Sequence, residues 1–121
     1  MFQVGTEYTR EQIHSHCGGS KQSYLPTVKG QVVAACLTPK LNPRAPAVIL
    51  CGCGPVVAAA GAALASQSEA IPVFVKRGVN CWEYQGQFRV RSAYSSGPQF
   101  SALVAESGRP EIEVSLAIEL G

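Results

Sequence analysis

Apolar residues in this chain fall in short runs, separated by clusters of Gly, Pro and small polar residues, and each run carries its own period. Thr9-Arg-Glu-Gln12 is a capping-box pattern, with Thr9 as N-cap and Gln12 reaching back, so it predicts a short helix through about His16 that stops at Gly18-Gly19. Gln31–Leu37 (QVVAACL) and Ala47–Cys51 (AVILC) read as buried strands by their β-branched, apolar content. Thr38–Pro46 holds three prolines and predicts an irregular, exposed loop between them. Pro55 suits the first position of a helix that runs to about Gln67, and its Ala/Gly face predicts close packing on a sheet.

The longest β signal is Ile71–Tyr94. It reads as one strand over Ile71–Arg77, a turn at Gly78-Val-Asn80, and a second strand over Cys81–Tyr94 that is broken or bulged near Gly86. Gly97-Pro98 opens a third helix through about Ser107. Glu111–Leu120 alternates, which puts Ile112, Val114, Leu116, Ile118 and Leu120 on one face of a half-buried, antiparallel closing strand. The order α-β-β-α-β-β-α-β predicts an α+β domain: a curved, mostly antiparallel sheet or half-barrel with about three packed helices. At 121 residues the chain suits a single domain over 1–121.

Composition narrows the function. All eight acidic residues are Glu, which disfavours calcium loops and most two-metal nucleases, both reliant on Asp. The net charge of +2 hides a basic middle, because Lys21–Arg91 carries eight Lys/Arg against Glu69 and Glu83. That asymmetry is the footprint of a polyanion ligand or of an unevenly charged solvated surface. Five cysteines with no signal peptide ahead of them predict reduced thiols and a cytoplasmic protein. The uncharged stretch Ala45–Ser68 is cut by Pro46, Pro55 and three glycines, so no membrane span is expected.

Period two in the second strand of the hairpin places Trp82, Tyr84, Phe88 and Val90 on one face, with Glu83, Gln85, Gln87, Arg89 and Arg91 on the other. Arg89 and Arg91, with Lys76 and Arg77 on the neighbouring strand, are candidates for phosphate contact, against the alternative of a solvated face. Trp82 is either a core anchor or a platform for a base. In the loop Gly18–Tyr24, Gly19 allows close backbone approach, Ser20 and Gln22 offer donors and acceptors, Lys21 a charge and Tyr24 a stacking plane. A helix C-cap followed by a polar connector accounts for the same residues. Lys40, Asn42 and Arg44 sit in the proline-stiffened loop, as groove contacts or as plain connector.

Other constellations are weaker. Cys51-Gly-Cys53 is poor zinc spacing, and the glycine-rich dinucleotide pattern fails because position 57 is Val. The same turn still offers free backbone N–H groups to one phosphate. No Asp completes a triad, and the adjacency of His16 and Cys17 does not make catalytic geometry, so the chain is read as non-catalytic, with no metal and no cofactor.

Ile71-Pro-Val-Phe-Val-Lys-Arg followed by Trp82-Glu-Tyr-Gln-Gly-Gln-Phe-Arg-Val resembles the paired strands of SRA (SET and RING associated) and wider PUA-like domains. Gly5–Arg10, Gly18–Gln22 and Asn42–Pro46 resemble a module found with HNH-type, modification-dependent restriction nucleases and in some fungal proteins. The resemblance implies a concave sheet that accepts a base rotated out of a duplex. It also implies double-stranded DNA carrying a modified base, 5-methylcytosine or a relative, as partner, and a fused or neighbouring nuclease. Base-pocket residues would be Gly19, Ser20, Gln22, Tyr24, Trp82 and Glu83; the nucleic-acid backbone would meet Lys21, Lys40, Asn42, Arg44, Lys76, Arg77, Arg89 and Arg91. An SRA pocket uses an Asp on the cytosine edge. Here that role falls to Glu83, Gln22 or backbone groups, and Tyr84-Gln85-Gly86 replaces the Tyr-Asp-Gly signature. Competing readings are a PUA-like RNA-binding domain, an enzyme built on His16/Cys17 or the Cys51–Cys53 turn, and a protein-interaction domain.

Overall fold

A computed structural model describes residues 1–121. Its elements are β1 (Glu7–Tyr8), α1 (Arg10–Cys17), β2 (Thr27–Val28), β3 (Gln31–Val32), β4 (Ala35–Leu37), β5 (Val48–Gly52), α2 (Pro55–Ala65), β6 (Ile71–Gly78), β7 (Cys81–Phe88), β8 (Val90–Tyr94), α3 (Pro98–Ser107) and, after a 3-10 turn at Glu111–Glu113, β9 (Val114–Leu120). The class is α+β, with three helices on mixed and antiparallel sheets. One sheet has the order β1-β7-β6-β4, with β4 parallel to β6 and the other pairs antiparallel. A second has the order β5-β9-β8, all antiparallel, and β2-β3 form a separate ladder. None of them closes into a barrel or curls strongly. No helix is long and apolar enough to cross a membrane.

The two larger sheets share one central core. Leu37, Val73 and Ile71 from the first meet Ile49, Ile118 and Leu120 from the second, and Leu64 of α2 seals one side. The outer face of the three-stranded sheet is covered by Phe100, Leu103 and Val104 of α3. The outer face of the four-stranded sheet packs Phe74, Trp82 and Tyr84 against Ile13 of α1, with Phe2 and Tyr8 at its margin.

The predicted helix starts are present. Thr9 accepts from the Gln12 backbone N–H while the Gln12 side chain accepts from the Thr9 N–H, and Pro55 and Pro98 each lie in the first turn of a helix. The small-residue face of α2 has a clear cause: a Cβ on Gly61 would lie 2.6 Å from the Cys51 Sγ atom, so only glycine lets the helix sit this close to β5.

Four expectations need correction. Gln31–Leu37 is two strands, since β3 pairs with β2 across the Lys29-Gly30 turn, both residues at positive φ, whereas β4 pairs with β6. Cys81–Tyr94 is also two strands, in different sheets. At the corner Arg89 exchanges backbone hydrogen bonds with Gly121 at 3.0 and 2.9 Å, and β8 continues beside β9. The face assignment in β7 inverts at Gly86 (φ +120°), where the register shifts: Trp82 and Tyr84 point toward α1, while Phe88 and Val90 join the central core. One extra residue in a strand reverses every side chain beyond it. Finally, β9 is the middle strand of its sheet and covered on both faces, with Val114 and Ala117 toward α3 and Ile118 and Leu120 inward; Ile112 lies outside it, exposed.

Candidate functional site

A cleft of about 920 Å³ opens beside the four-stranded sheet. Its walls come from the Ser20–Tyr24 loop, the Thr38–Asn42 segment, the end of β5 with the first turn of α2, the β6–β7 hairpin, and Arg109. Arg10, Lys21, Lys76 and Arg109 line it, and no Glu does. Four positive charges with no carboxylate in the lining give the cleft a field of the sign that attracts anions.

Arg10 anchors one wall. It opens α1, where a cation meets the unfavourable end of the helix dipole, so other contacts must hold it. Its guanidinium Nη2 donates to the Ser20 and Ser23 carbonyls at 3.0 and 2.8 Å and lies 5.2 Å from the centre of the Trp82 ring. The side chain of Asn80, at positive φ in the β6–β7 turn, accepts from the Arg10 backbone N–H and donates to Glu11. The Ser20 hydroxyl accepts from the backbone N–H groups of Gln22 and Ser23, both at 3.0 Å, which folds the loop into a tight turn. Lys21 and Gln22 are left with exposed side chains at its tip.

Trp82 is 7% exposed, with Lys76 Nζ 5.6 Å from its ring centre, so cations and core neighbours occupy its surroundings. It is a core anchor that borders the cleft, and its indole Nε1–H has no acceptor. Tyr24 donates from its hydroxyl to the Val57 carbonyl at 2.6 Å and tethers the loop to α2. Burial, with Cys51 close by, pushes the Tyr24 phenol up, and burial does the same to the Cys51 thiol. Arg109 donates from Nη1 to the carbonyls of Leu41 and Leu50, at 3.1 and 3.2 Å, while its Nε–H is buried without an acceptor.

The cleft gathers Ser20, Lys21, Gln22, Tyr24, Lys76 and Trp82 from the predicted set. Lys40 lies in an adjoining depression of about 510 Å³ that shares Lys76. Gly19 lies outside the lining, its Cα packed against Pro26, where a Cβ would come within 2.8 Å. Glu83 points away from Trp82 and pairs with Arg77 at 2.6 Å. Arg44 pairs with Glu106 at 2.9 Å. Arg89 and Arg91 sit at the corner near Gly121, apart from the cleft. Asn42 is corrected most sharply: it borders the cleft yet is only 4% exposed, and its Oδ1 accepts from the Leu50 backbone N–H at 2.8 Å.

The sequence reading missed Arg10 and Arg109. An arginine in the first turn of a helix was a usable signal for Arg10; nothing local marks Arg109, which follows the Gly108 cap of α3. No three of the His, Cys and Glu side chains cluster as metal ligands. Burial raises the Cys17 thiol, the reverse of what activates a nucleophile.

Residues 7–106 match the domain of unknown function DUF6697. The chain belongs to this family. The DUF6697 match spans α1, the Ser20–Tyr24 loop, α2, the β6–β7 hairpin and most of α3, and ends before Arg109 and β9. No curated protein and no solved structure matches the chain.

Proposed function

We propose that this domain is a non-catalytic DNA-binding module that draws a modified base, 5-methylcytosine or a relative, out of the duplex and into the cleft beside Trp82. The observation that carries this reading is the charge of the lining: Arg10, Lys21, Lys76 and Arg109, with no carboxylate, in a space of about 920 Å³. That volume is in the range of small-ligand sites and suits one nucleotide. Lys21 and Gln22, exposed at the loop tip, are placed to meet the backbone and a base edge, and Lys40 extends the basic strip along the strand that remains outside. The resemblance to SRA-like and PUA-like readers supports the same reading. The raised thiols of Cys17 and Cys51 suit a binder more than a thiol enzyme. A fused or neighbouring nuclease would do the cutting. Five free cysteines suit a reducing compartment such as the cytoplasm.

A gel-shift series with methylated and unmethylated duplexes at physiological salt tests the proposal. The methylated duplex should bind more tightly, and Lys21→Ala or Lys76→Ala should flatten the salt dependence, by a slope of about 0.9 for each phosphate that is no longer neutralised. Equal affinity for both duplexes would remove the modified-base reading. Preferential competition by tRNA would turn it into the RNA-binding alternative.

A further inference from the structure

We infer that the cleft holds its ligand by a phosphate, seated between the N-terminus of α2 and the guanidinium of Arg109. The inference rests on the reading of the cleft as a nucleotide site and assigns its phosphate position.

The helix end is built without a cap. Gly54 is the N-cap residue and makes no side-chain hydrogen bond, Pro55 lies in the first turn, and that turn contains no acid. The first satisfied amide is that of Ala58, which donates to the Gly54 carbonyl at 2.7 Å. The N–H groups of Val56 and Val57 precede it, and both residues line the cleft. Unsatisfied amides at the positive end of a helix dipole form a ready anion seat.

Two side chains point to the same ligand independently. Arg109 spends Nη1 on the Leu41 and Leu50 carbonyls, which fixes the guanidinium plane and leaves the Nε/Nη2 edge. That edge has the geometry that grips two oxygens of a phosphate side by side; its Nε–H has no protein acceptor and is enclosed, so the guanidinium shifts outward to take the phosphate. Trp82, 7% exposed, also lines the cleft, and its Nε1–H lacks an acceptor. Buried donors without acceptors are rare, and two of them bordering one cation-lined cleft indicate a ligand rich in oxygen. With the phosphate at α2 and Arg109, the sugar and base extend toward Lys76 and the Arg10–Trp82 wall.

Gly54 makes the inference testable. Its φ of −58° and ψ of 146° suit any N-cap residue, and nothing lies within 4 Å of the position its Cβ would take. Gly54→Asp places a carboxylate on the free amides, so it should cap the helix and exclude the phosphate at once. Isothermal titration of the whole chain with 2′-deoxycytidine 5′-monophosphate, deoxycytidine and inorganic phosphate is the primary measurement. The monophosphate should bind at least about tenfold more tightly than the nucleoside, since charge-assisted bonds are the strong ones. Gly54→Asp should abolish that preference while melting at or above the wild-type temperature, and Arg109→Gln should weaken the monophosphate more than the nucleoside. Equal binding of nucleotide and nucleoside, no binding of the monophosphate, or unchanged affinity in Gly54→Asp overturns the inference. A methylated oligonucleotide run alongside separates the sources: loss of both ligands in Gly54→Asp places a chain phosphate at α2, and loss of the monophosphate alone places a free nucleotide there. A wild type that binds the monophosphate but shows no preference for methylated duplex keeps the phosphate seat and overturns the proposed function instead.

Discussion

The Arg10 guanidinium lies 5.2 Å from the centre of the Trp82 ring and at the same time donates to the carbonyls of Ser20 and Ser23. One side chain therefore joins α1, the β6–β7 hairpin and the loop that closes the cleft. Its burial makes the charge difficult to remove, because a neutral replacement leaves two carbonyls without donors.

Replacing Arg10 with Met should cost about 2–3 kcal/mol in urea denaturation, from unpaired carbonyls and the missing cation–π attraction. Amide exchange in residues 20–24 should rise by more than that in α3, which Arg10 does not touch. Arg10→Lys keeps the charge without the planar fork and should recover less than half of the loss. Equal exchange in both segments would show that the clamp is not local.

Asn42→Ala should destabilise by about 1–3 kcal/mol, because the buried Leu50 N–H loses its acceptor. The salt slope of nucleic-acid binding should stay the same. Lys40→Ala should give the opposite pair of results: wild-type stability and a shallower slope. A melting curve and a salt titration for each variant check the contrast.

Gly61→Ala should cost about 1–3 kcal/mol through overpacking, since the new Cβ meets the Cys51 Sγ and Cβ atoms at 2.6 and 3.0 Å. Adding Cys51→Ala removes the nearer atom and should make the pair less destabilised than the sum of the single changes. A double-mutant cycle by chemical denaturation reads this coupling, and strict additivity would contradict the contact.

Stability should fall in alkali. Burial pushes the Cys36 thiol from its ordinary 9.0 up to about 12. Above pH 9 the unfolded chain releases this proton while the folded chain keeps it, so unfolding gains free energy as pH rises from about 9 to about 12. Tyr24 and Cys51, also raised by burial, act in the same direction. Thermal melts across this window should show a decline that is shallower in Cys36→Ala, with the slope, and not the absolute stability, as the readout.

Local chemistry in the sequence was sufficient for the α+β class, the three helix starts and the β6–β7 turn. Thr9 with Gln12, and Pro55 and Pro98 in first turns, act through bonds and sterics that span a few residues. The break near Gly86 was legible for the same reason, since glycine marks a strand irregularity by itself. Its consequence was not legible. Whether the chain beyond Gly86 keeps its face or reverses depends on how β7 pairs with β6: Tyr84 and Gly86 face the adjacent residues Phe74 and Val73, which leaves Gln85 as the extra residue.

The cleft was partly visible. Lys21, Gln22 and Tyr24 were recognisable as loop chemistry, and Lys76 and Trp82 as strand chemistry. Asn42 looked like an exposed contact because its neighbours are prolines, yet Leu50, eight residues on, takes its side chain into the interior as an acceptor. Glu83 looked like a base-edge partner until the strand direction turned it toward Arg77.

By itself the sequence determined where the three helices begin and that the middle of the chain is basic, because caps, prolines and charge act over short distances. The tertiary structure decided which charges converge. Arg10 and Arg109 are ninety-nine positions apart (109 − 10), and both line the cleft only because three-dimensional packing brings α1 and the segment after α3 to the same space. Arg89 and Arg91, close in sequence to Lys76 and Arg77, are carried away because the strand crosses into the other sheet at Arg89. Burial and sheet membership are properties of the whole packed chain, and no window of residues contains them.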